Sequence, residues 1–330
     1  MAKPSEQLTE PLVPEPRKIR AITVATSVDR QIIDAPIGSA RFLRLHLKRQ
    51  LQPYYWHHPP LWKVALRYLN PNRMAPSFLS LGAARSGTTQ LADYIMQHPC
   101  VVLPLAKEFA PFPNLKLLQA QFPTQRQERK VLERYGKAIT GYCSPSVPNL
   151  LFPYILSGVA GDADLRFVLI LRNPVDRTFA HWRWEKHVSH IAASNPLARS
   201  VPGFTDMVRL EVEAAQSHAT SGATFLTGAY TGGFIQNSIY LPFLKTLFKF
   251  WDRSQAVVIN ADDFFADPPG VAKRVYDFLG LPPYEPVELP VRNAGVPGTM
   301  DPEARQMLSD FFDPLNQKLF EFLGEDFGWK

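Results

Sequence analysis

The chain has 330 residues, 45% of them hydrophobic, so it can bury a large core and can form a single α/β domain. Its 36 Lys and Arg against 30 Asp and Glu give a formal net charge of +6. This small, dispersed excess suits an anionic ligand or surface and does not favour nucleic acid as a partner. No apolar run approaches membrane-spanning length, and the N-terminus lacks the apolar core of a secretory signal.

The two cysteines, Cys100 and Cys143, have no metal-binding spacing. We expect two reduced thiols rather than a disulfide framework, which favours a reducing compartment. The sequence therefore predicts a cytoplasmic protein without a metal site.

Two segments precede the main domain. Residues 1–35 are rich in proline and charge, and this composition predicts a largely disordered tail. In residues 36–76, basic residues alternate with leucines and aromatic residues, and the pattern is broken at Pro53 and at Pro59. One interpretation is a helical collar packed on the main domain. The other is peripheral contact of residues 36–75 with a membrane or a lipid substrate.

From residue 77 to residue 330, apolar strands alternate with amphipathic helices. The predicted strands are Phe78–Leu81, Val101–Leu103, Ala138–Tyr142, Arg166–Leu171 and Ala256–Asn260. The predicted helices include Thr88–Gln97, Gln125–Tyr135, Val175–Val188, Phe204–His218, Ile235–Trp251, Gly270–Leu279 and Glu303–Leu323. This alternation predicts an α/β fold in which helices cover both faces of a central parallel sheet.

The first strand leads into a loop bounded by Gly82 and Gly87, which have the G-x-x-x-x-G spacing of a P-loop. Such a turn aims backbone N–H groups and a helix N-terminus at an anion, most often a phosphate. Thr88 stands where a nucleotide triphosphatase needs Lys, and the loop cation is Arg85. The pattern therefore predicts a phosphate-binding loop whose ligand is not ATP or GTP.

A second strand-to-helix junction follows the strand Arg166–Leu171. Arg172 stands at its carboxyl end, where open α/β sheets bind ligands, and Pro174 suits the first turn of a helix. Arginine can grip a phosphate with two bonds. The alternative is that Arg172 forms an ion pair with Asp176 or with a neighbouring loop. Two arginine-bearing loops at one edge indicate a ligand with phosphates at two places.

These junctions belong to a series of motifs that resembles the signatures of sulfotransferases using 3′-phosphoadenosine 5′-phosphosulfate (PAPS). The motifs are Arg85-Ser86-Gly87-Thr88-Thr89, His98-Pro99, Lys107-Glu108, Arg172-Asn173-Pro174-Val175-Asp176-Arg177, Phe278-Leu279-Gly280-Leu281 and Phe327-Gly328-Trp329. The branch that the chain resembles most contains the heparan-sulfate enzymes and their bacterial relatives. The resemblance covers residues 77–330 and implies the P-loop-type sulfotransferase fold.

The resemblance also implies donor-binding residues. Arg85, in the place of the family's usual Lys, would hold the 5′-phosphosulfate with its loop neighbours, and Arg172 would contact the 3′-phosphate. A family serine that adds to this contact is replaced by Ala180, so part of the contact is missing or is supplied by Thr178 or a backbone N–H. The full predicted donor set is Arg85, Ser86, Gly87, Thr88, Thr89, Arg172, Thr178, Arg292 and Gly298.

The implied general base is Glu108, since a carboxylate can take the proton of an acceptor hydroxyl. Its alternative is a surface carboxylate paired with Lys107. His181 is a second candidate base, with a structural histidine as the alternative. The family's Glu-Lys-Thr-Pro-like acceptor segment is here Tyr142-Cys143-Ser144-Pro145, which lacks both acid and base. This difference favours a smaller or lipid-like alcohol over an anionic polysaccharide.

The predicted function is transfer of a sulfuryl group from PAPS to an alcohol, a sugar or a lipid-like molecule, with 3′-phosphoadenosine 5′-phosphate (PAP) as product and no metal. Two alternatives stay open at this point. One is a P-loop nucleotide kinase or triphosphatase, which the missing loop lysine disfavours. The other is a sulfotransferase-like binding protein that has lost activity, which Ala180 and the altered family pattern after Glu108, here Phe109-Ala110-Pro111-Phe112, would explain.

Overall fold

The computed structural model describes residues 10–33, 35–36, 38–55, 59–70, 72–108, 115–145, 164–191, 201–221, 233–289 and 298–329. These residues form a four-stranded sheet with the order β2-β1-β3-β4, and every neighbouring pair of strands is parallel. The strands are β1 (Phe78–Gly82), β2 (Gly141–Ser144), β3 (Arg166–Leu171) and β4 (Ala256–Asn260). The predicted parallel α/β sheet is confirmed.

Twelve α-helices lie within the described residues. They are α1 (Pro16–Ile33), α2 (Ala40–Gln50), α3 (Leu61–Tyr68), α4 (Thr88–Gln97), α5 (Leu115–Gln119), α6 (Gln125–Tyr135), α7 (Pro174–Ile191), α8 (Phe204–Ser221), α9 (Leu241–Phe250), α10 (Ala261–Ala266), α11 (Pro268–Phe278) and α12 (Pro302–Leu323). None of them is both long and apolar enough to cross a bilayer.

Alternate residues of the central strands divide the core between the two faces of the sheet. On one face, Phe167 and Leu169 belong to a buried cluster that includes Val64 of α3 and Phe243 of α9. On the other face, Val168 belongs to a cluster with side chains of α4 and α11. The helices therefore cover both faces, as predicted, and the loops at the carboxyl edge are left to form a site.

Two sequence-based predictions of regular structure were wrong. The segment Val101–Leu103 is not a strand and makes an isolated parallel bridge from Val101 to Ile139. The predicted helix over residues 235–251 is divided into a 3₁₀ turn at Gln236–Ser238 and α9. Pro242 lies in the first turn of α9, where a residue without a backbone N–H is tolerated.

The expected disorder of residues 1–35 is also corrected over the described part of that segment. Residues 16–33 form α1, and Ile22 and Val28 on this helix are buried. Lys18 is buried too, and its Nζ donates to the carbonyl oxygens of His98, at 2.5 Å, and Val101. The charged composition therefore predicted disorder where the chain forms a helix that packs on the turn after α4.

The predicted collar contains α2 and α3, joined by a segment that pairs with the main domain. Leu45 of α2 and Val64 of α3 are buried. Between the helices, Tyr55 forms a parallel bridge with Ala106. This pairing attaches the collar to the residues just before Glu108.

Candidate active site

The two predicted phosphate loops leave the same edge of the sheet. Gly82, the last residue of β1, is paired with Ile170 near the end of β3. The loop 83–87 and the turn after Leu171 are therefore neighbours at the carboxyl edge, where parallel sheets bind ligands.

The backbone of the first loop explains its glycines. A Cβ atom on Gly82 would lie 2.5 Å from Cγ2 of Ile170, so the strand and loop fit together only without a side chain. Gly87 has φ of 87° and is the N-cap residue of α4. Arg85 has φ of 75°, a left-handed conformation that non-glycine residues rarely adopt. Such strain is concentrated at functional sites.

Polar groups at this edge fit an anion. Ser86 is fully buried, and its Oγ has no hydrogen-bond partner among the described residues. Nε of Arg172 is likewise buried without such a partner. Buried polar atoms are rarely left unsatisfied. A phosphate at the N-terminus of α4 would find a hydroxyl, a guanidinium and backbone N–H donors there.

The two arginines of the loops are connected. Nη1 of Arg172 donates to the carbonyl oxygen of Arg85 at 3.0 Å. The guanidinium of Arg85 lies over the ring of Trp184 on α7, with 3.8 Å between Cζ and the ring centroid. Asp176 pairs with Arg305 at 3.1 Å, so it is not the partner of Arg172. The other form of the alternative, a contact of Arg172 with a neighbouring loop, is present as the hydrogen bond to Arg85.

Arg177 stabilises this edge from within the core, a role that the sequence analysis did not assign. It is fully buried, and its Nε donates to Oγ of Ser238 at 2.6 Å. Nη1 donates to the carbonyl oxygen of Ala84 in the loop at 3.3 Å, and Nη2 donates to that of Phe234. Burial lowers the pKa of Arg177 to about 10, so it stays cationic at neutral pH.

Thr178 is fully buried beside Arg177. Its hydroxyl lies 3.0 Å from Oγ of Ser238 and donates to the carbonyl oxygen of Phe234 at 3.4 Å. These contacts suit a structural role, and the contact of Thr178 with a 3′-phosphate stays a prediction.

Glu108 lies at the outer side of β2 and is only 9% exposed. It forms an ion pair with Lys107, which is 1% exposed, so the predicted pairing exists but the site is buried rather than on the surface. The backbone of Lys107 is held on both sides, since its N–H donates to Tyr55 at 2.9 Å and its carbonyl oxygen accepts from Cys143 at 3.3 Å.

Two residues that the sequence analysis missed stand near Glu108. Tyr54 and Asp93 are both buried. Burial raises the pKa of Tyr54 well above its usual value, and the charges of Asp93, Cys143 and Glu108 raise it further. The carboxylate of Glu108 therefore shares a water-poor region with a neutral phenol and a second acid.

His181 lies on α7 beside the first loop. Its Nδ1 is 3.4 Å from Nη2 of Arg177, and its Nε2 is 3.7 Å from the carboxylate of Glu185. Burial lowers the pKa of His181; the Glu185 hydrogen bond opposes this shift, and the charges of Arg177 and Arg85 add to it. The imidazole is thus kept neutral, in contacts that also suit a structural histidine.

The loop 292–299, which carries Arg292 and Gly298 of the predicted donor set, is described only in part. Arg292 lies outside the described residues. The carbonyl oxygen of Gly298 accepts from Nη1 of Arg183 on α7 at 3.5 Å. Burial lowers the pKa of Arg183, and the charge of Arg172 lowers it further, which indicates that the two arginines are close. Because Gly298 contacts Arg183, it lies on the cationic side of the site.

A family model described as the sulfotransferase family matches residues 76–286. The chain belongs to the sulfotransferase family. The predicted family is thereby confirmed, and so is the enzyme class at the level of the family. Within the described ranges of this sulfotransferase, no group of three or more His, Cys, Asp and Glu side chains gathers as a metal site would.

Individual relatives are distant. The membrane-associated sulfotransferase kil1 of Dictyostelium discoideum is 21% identical over 77% of this chain and 66% of its own length. The heparan sulfate glucosamine 3-O-sulfotransferase 3A1 of Mus musculus is 20% identical over 81% of this chain and 67% of its own length. The chain thus spans about two thirds of these relatives. A sulfotransferase structure from Alicyclobacillus acidocaldarius has 20% identity and a TM-score of 0.50 over 77% of this chain and 97% of that one, a likeness of fold.

The candidate site contains more than the sequence motifs. Its edge brings together Arg85, Ser86, Gly87, Thr88, Thr89 and Arg172. Trp184, Tyr54 and Asp93 were missed because their contacts join residues far apart in the chain. A weak signal existed in Arg177, which ends the motif that begins at Arg172 and lies one helical turn after Asn173, the residue that caps α7.

Proposed function

We propose that this chain transfers a sulfuryl group from PAPS to an alcohol and releases PAP. The observation that carries the proposal is the Arg172 to Arg85 hydrogen bond, which joins two cationic loops at one sheet edge. Ser86 and Arg172 supply buried polar atoms beside this bond that suit a phosphate. A donor with phosphates at both ends of an adenosine matches two such loops.

In this proposal, Arg85, Ser86, Gly87, Thr88 and Thr89 bind the 5′ end of the donor, and Arg172 binds the 3′-phosphate. When bound, PAPS supplies an activated sulfuryl group on a phosphate leaving group. Arg85 and the N–H groups at the start of α4 stabilise the negative charge that grows on the leaving oxygen. The segment with Arg292 and Gly298 would cover the nucleotide.

Glu108 takes the proton of the acceptor hydroxyl as the new sulfur–oxygen bond forms and the bond to the PAP oxygen breaks. The ion pair with Lys107 holds the Glu108 carboxylate in place. Transfer is direct and in line, with no covalent enzyme intermediate and no metal. His181 is the second candidate for this base, since burial keeps its imidazole neutral.

For the acceptor, we propose a sugar or lipid-like alcohol. The mouse relative is named for a glycan acceptor, and the Dictyostelium relative is named as membrane-associated. The Tyr142-Cys143-Ser144 segment offers no acid or base for an anionic polysaccharide. We also propose a cytoplasmic location, which the two buried free thiols of Cys100 and Cys143 support.

Thermal-shift measurements with PAP and with ATP–Mg²⁺, followed by transfer from labelled PAPS to a panel of alcohols, test the proposal. PAP should stabilise the wild type and the control Arg274→Ala, whose arginine is exposed on α11, but not Arg172→Ala. A larger shift with ATP–Mg²⁺ would instead indicate a kinase or triphosphatase. Binding of PAP without transfer to any alcohol would indicate an inactive binding protein.

A further inference from the structure

An apolar surface on the collar faces away from the core. We call it the collar surface, and it consists of Leu43, Leu47, Leu51, Leu61, Trp62, Leu66, Tyr68 and Leu69. These eight are more than half of the fifteen large hydrophobic side chains that are exposed among the described residues. Single exposed leucines are ordinary, but a concentration of this kind marks an interaction site.

Helix α2 presents leucines on the side where a solvated helix carries polar residues. Leu45 faces the core and is 8% exposed. Leu43, Leu47 and Leu51 recur every four residues on the opposite side, and Leu47 is 69% exposed. The outward side of α2 is therefore an apolar stripe.

Helix α3 repeats this arrangement. Val64 faces the core, whereas Leu61, Trp62 and Leu66 point outward. Nε1 of Trp62 donates to Oε1 of Gln50 at 2.8 Å, which connects the start of α3 to the end of α2. This contact places the exposed Trp62 next to the end of α2.

The charged residues of the collar segment itself have one sign. The chain has no Asp or Glu between Asp34 and Asp93. Arg41, Arg44 and Lys48 are exposed on α2, next to the leucine stripe. The other cations of the segment include Arg67 and Arg73, which are engaged with backbone carbonyl groups and face the domain.

We propose that the collar surface docks on a bilayer that contains anionic phospholipid. Leucines would enter the acyl region, Trp62 would lie at the level of the headgroups, and the cations of α2 would contact the lipid phosphates. A second copy of the chain is a poorer partner, because a two-fold contact would oppose Arg41, Arg44 and Lys48 to the same cations without a carboxylate between them.

The docking does not depend on sulfuryl transfer, but it gives the proposed enzyme a definite orientation. Tyr55, between α2 and α3, accepts from the N–H of Lys107 at 2.9 Å and donates to Leu105 at 3.1 Å. The helices that would lie on the lipid are therefore bonded to the segment that carries Glu108.

Co-sedimentation of the full chain with vesicles tests the proposal, using phosphatidylcholine alone and phosphatidylcholine mixed with phosphatidylserine. We expect binding to the mixed vesicles that weakens with salt. The triple variant Leu47→Ser/Leu51→Ser/Leu66→Ser should lose binding at least about tenfold, because apolar burial contributes to interfacial affinity. The variant Arg41→Gln/Arg44→Gln/Lys48→Gln should lose about fivefold per cation at low salt.

The matched control is Leu132→Ser/Leu210→Ser, which removes exposed leucines elsewhere and should bind as the wild type does. Thermal unfolding checks that each variant is folded. If the leucine variant is unfolded, vesicle binding by the cation variant is the test of the proposal. Absence of vesicle binding, or equal binding by the wild type and both triple variants, would overturn the proposal. So would a dimer in sedimentation velocity that the leucine variant alone disrupts.

Discussion

The guanidinium of Arg85 is stacked on the indole of Trp184, 99 positions later in the chain. A planar, delocalised cation gains from such a stack, which a lysine ammonium cannot reproduce. The stack therefore explains how the Arg85 side chain can keep one orientation in a loop where the family usually has Lys. It also places α7 in contact with the proposed leaving-group cation.

We expect Trp184→Leu to lower kcat/KM for PAPS by about 5- to 30-fold, since a desolvated cation–π contact contributes roughly 1–2 kcal/mol. Trp184→Phe should keep most of the activity because it keeps a ring under Arg85. Steady-state kinetics with varied PAPS measures both.

The control for that experiment is Trp182→Leu on the same helix. The Trp182 ring lies beside Phe179 and Phe204 and is not in contact with Arg85. Its loss should reduce stability more than turnover. Equal kinetic losses in the three tryptophan variants would contradict a specific role for the stack.

Glu108→Gln should reduce turnover by about 100- to 10,000-fold, the usual contribution of a general base. PAP affinity should change little, because the predicted donor contacts lie on other residues. Calorimetric titration with PAP and single-turnover transfer measure the two effects separately. Glu133→Gln, an exposed carboxylate on α6, is the matched control; wild-type turnover in Glu108→Gln would remove Glu108 from the mechanism.

His98 should make the fold acid-sensitive. Burial lowers the pKa of His98 from 6.5 to about 4, and Nε2 lies 3.0 Å from the carbonyl oxygen of Pro282. Because the folded state has the lower pKa, stability is complete above pH 6.5 and decreases as pH falls toward 4. The loss amounts to about 3 kcal/mol for this group.

Urea unfolding at pH 7 and at pH 4.5 measures this dependence. In His98→Gln, which keeps a donor and an acceptor, the loss between the two pH values should be smaller than in the wild type by about 2 kcal/mol. Other acidic groups contribute to both proteins and cancel in the comparison. Parallel pH profiles would contradict the assignment to His98.

Trp329 fixes the C-terminal segment to the sheet. Its Nε1 donates to Oδ1 of Asn260, at the end of β4, at 3.1 Å, and its ring contacts Tyr240 and Phe320. Trp329→Ala should lower the free energy of unfolding by about 3–5 kcal/mol. Trp62→Ala, at an exposed tryptophan, should change it by less than about 0.5 kcal/mol. Urea unfolding compares the two, and similar losses would contradict this account.

Much of the fold is local enough to be predicted from the sequence. The bounds of β3, β4, α4 and α6 follow from apolar runs and from caps such as Thr124, whose side chain accepts from Gln127. The phosphate loop is equally readable, because its glycines meet backbone requirements that act within a few residues. The two-faced sheet then follows from strand–helix alternation.

The remainder depends on contacts that no short pattern records. The helix α1 has charged residues near both ends and is held by the buried side chain of Lys18, whose acceptors lie some eighty residues later. The edge segment at Val101 has strand-like residues but pairs at one position only. The surroundings of Glu108 combine Tyr54, Asp93 and Cys143 from three parts of the chain.

The left-handed backbone at Arg85 has a consequence for protein engineering. Glycine would remove the cost of this conformation, roughly 1–2 kcal/mol, because it lacks a Cβ. It would also remove the stack on Trp184, which contributes a similar amount, so Arg85→Gly should be nearly neutral for stability. A library filtered on folding alone would therefore retain this substitution, although such proteins lack the cation that the proposed chemistry needs.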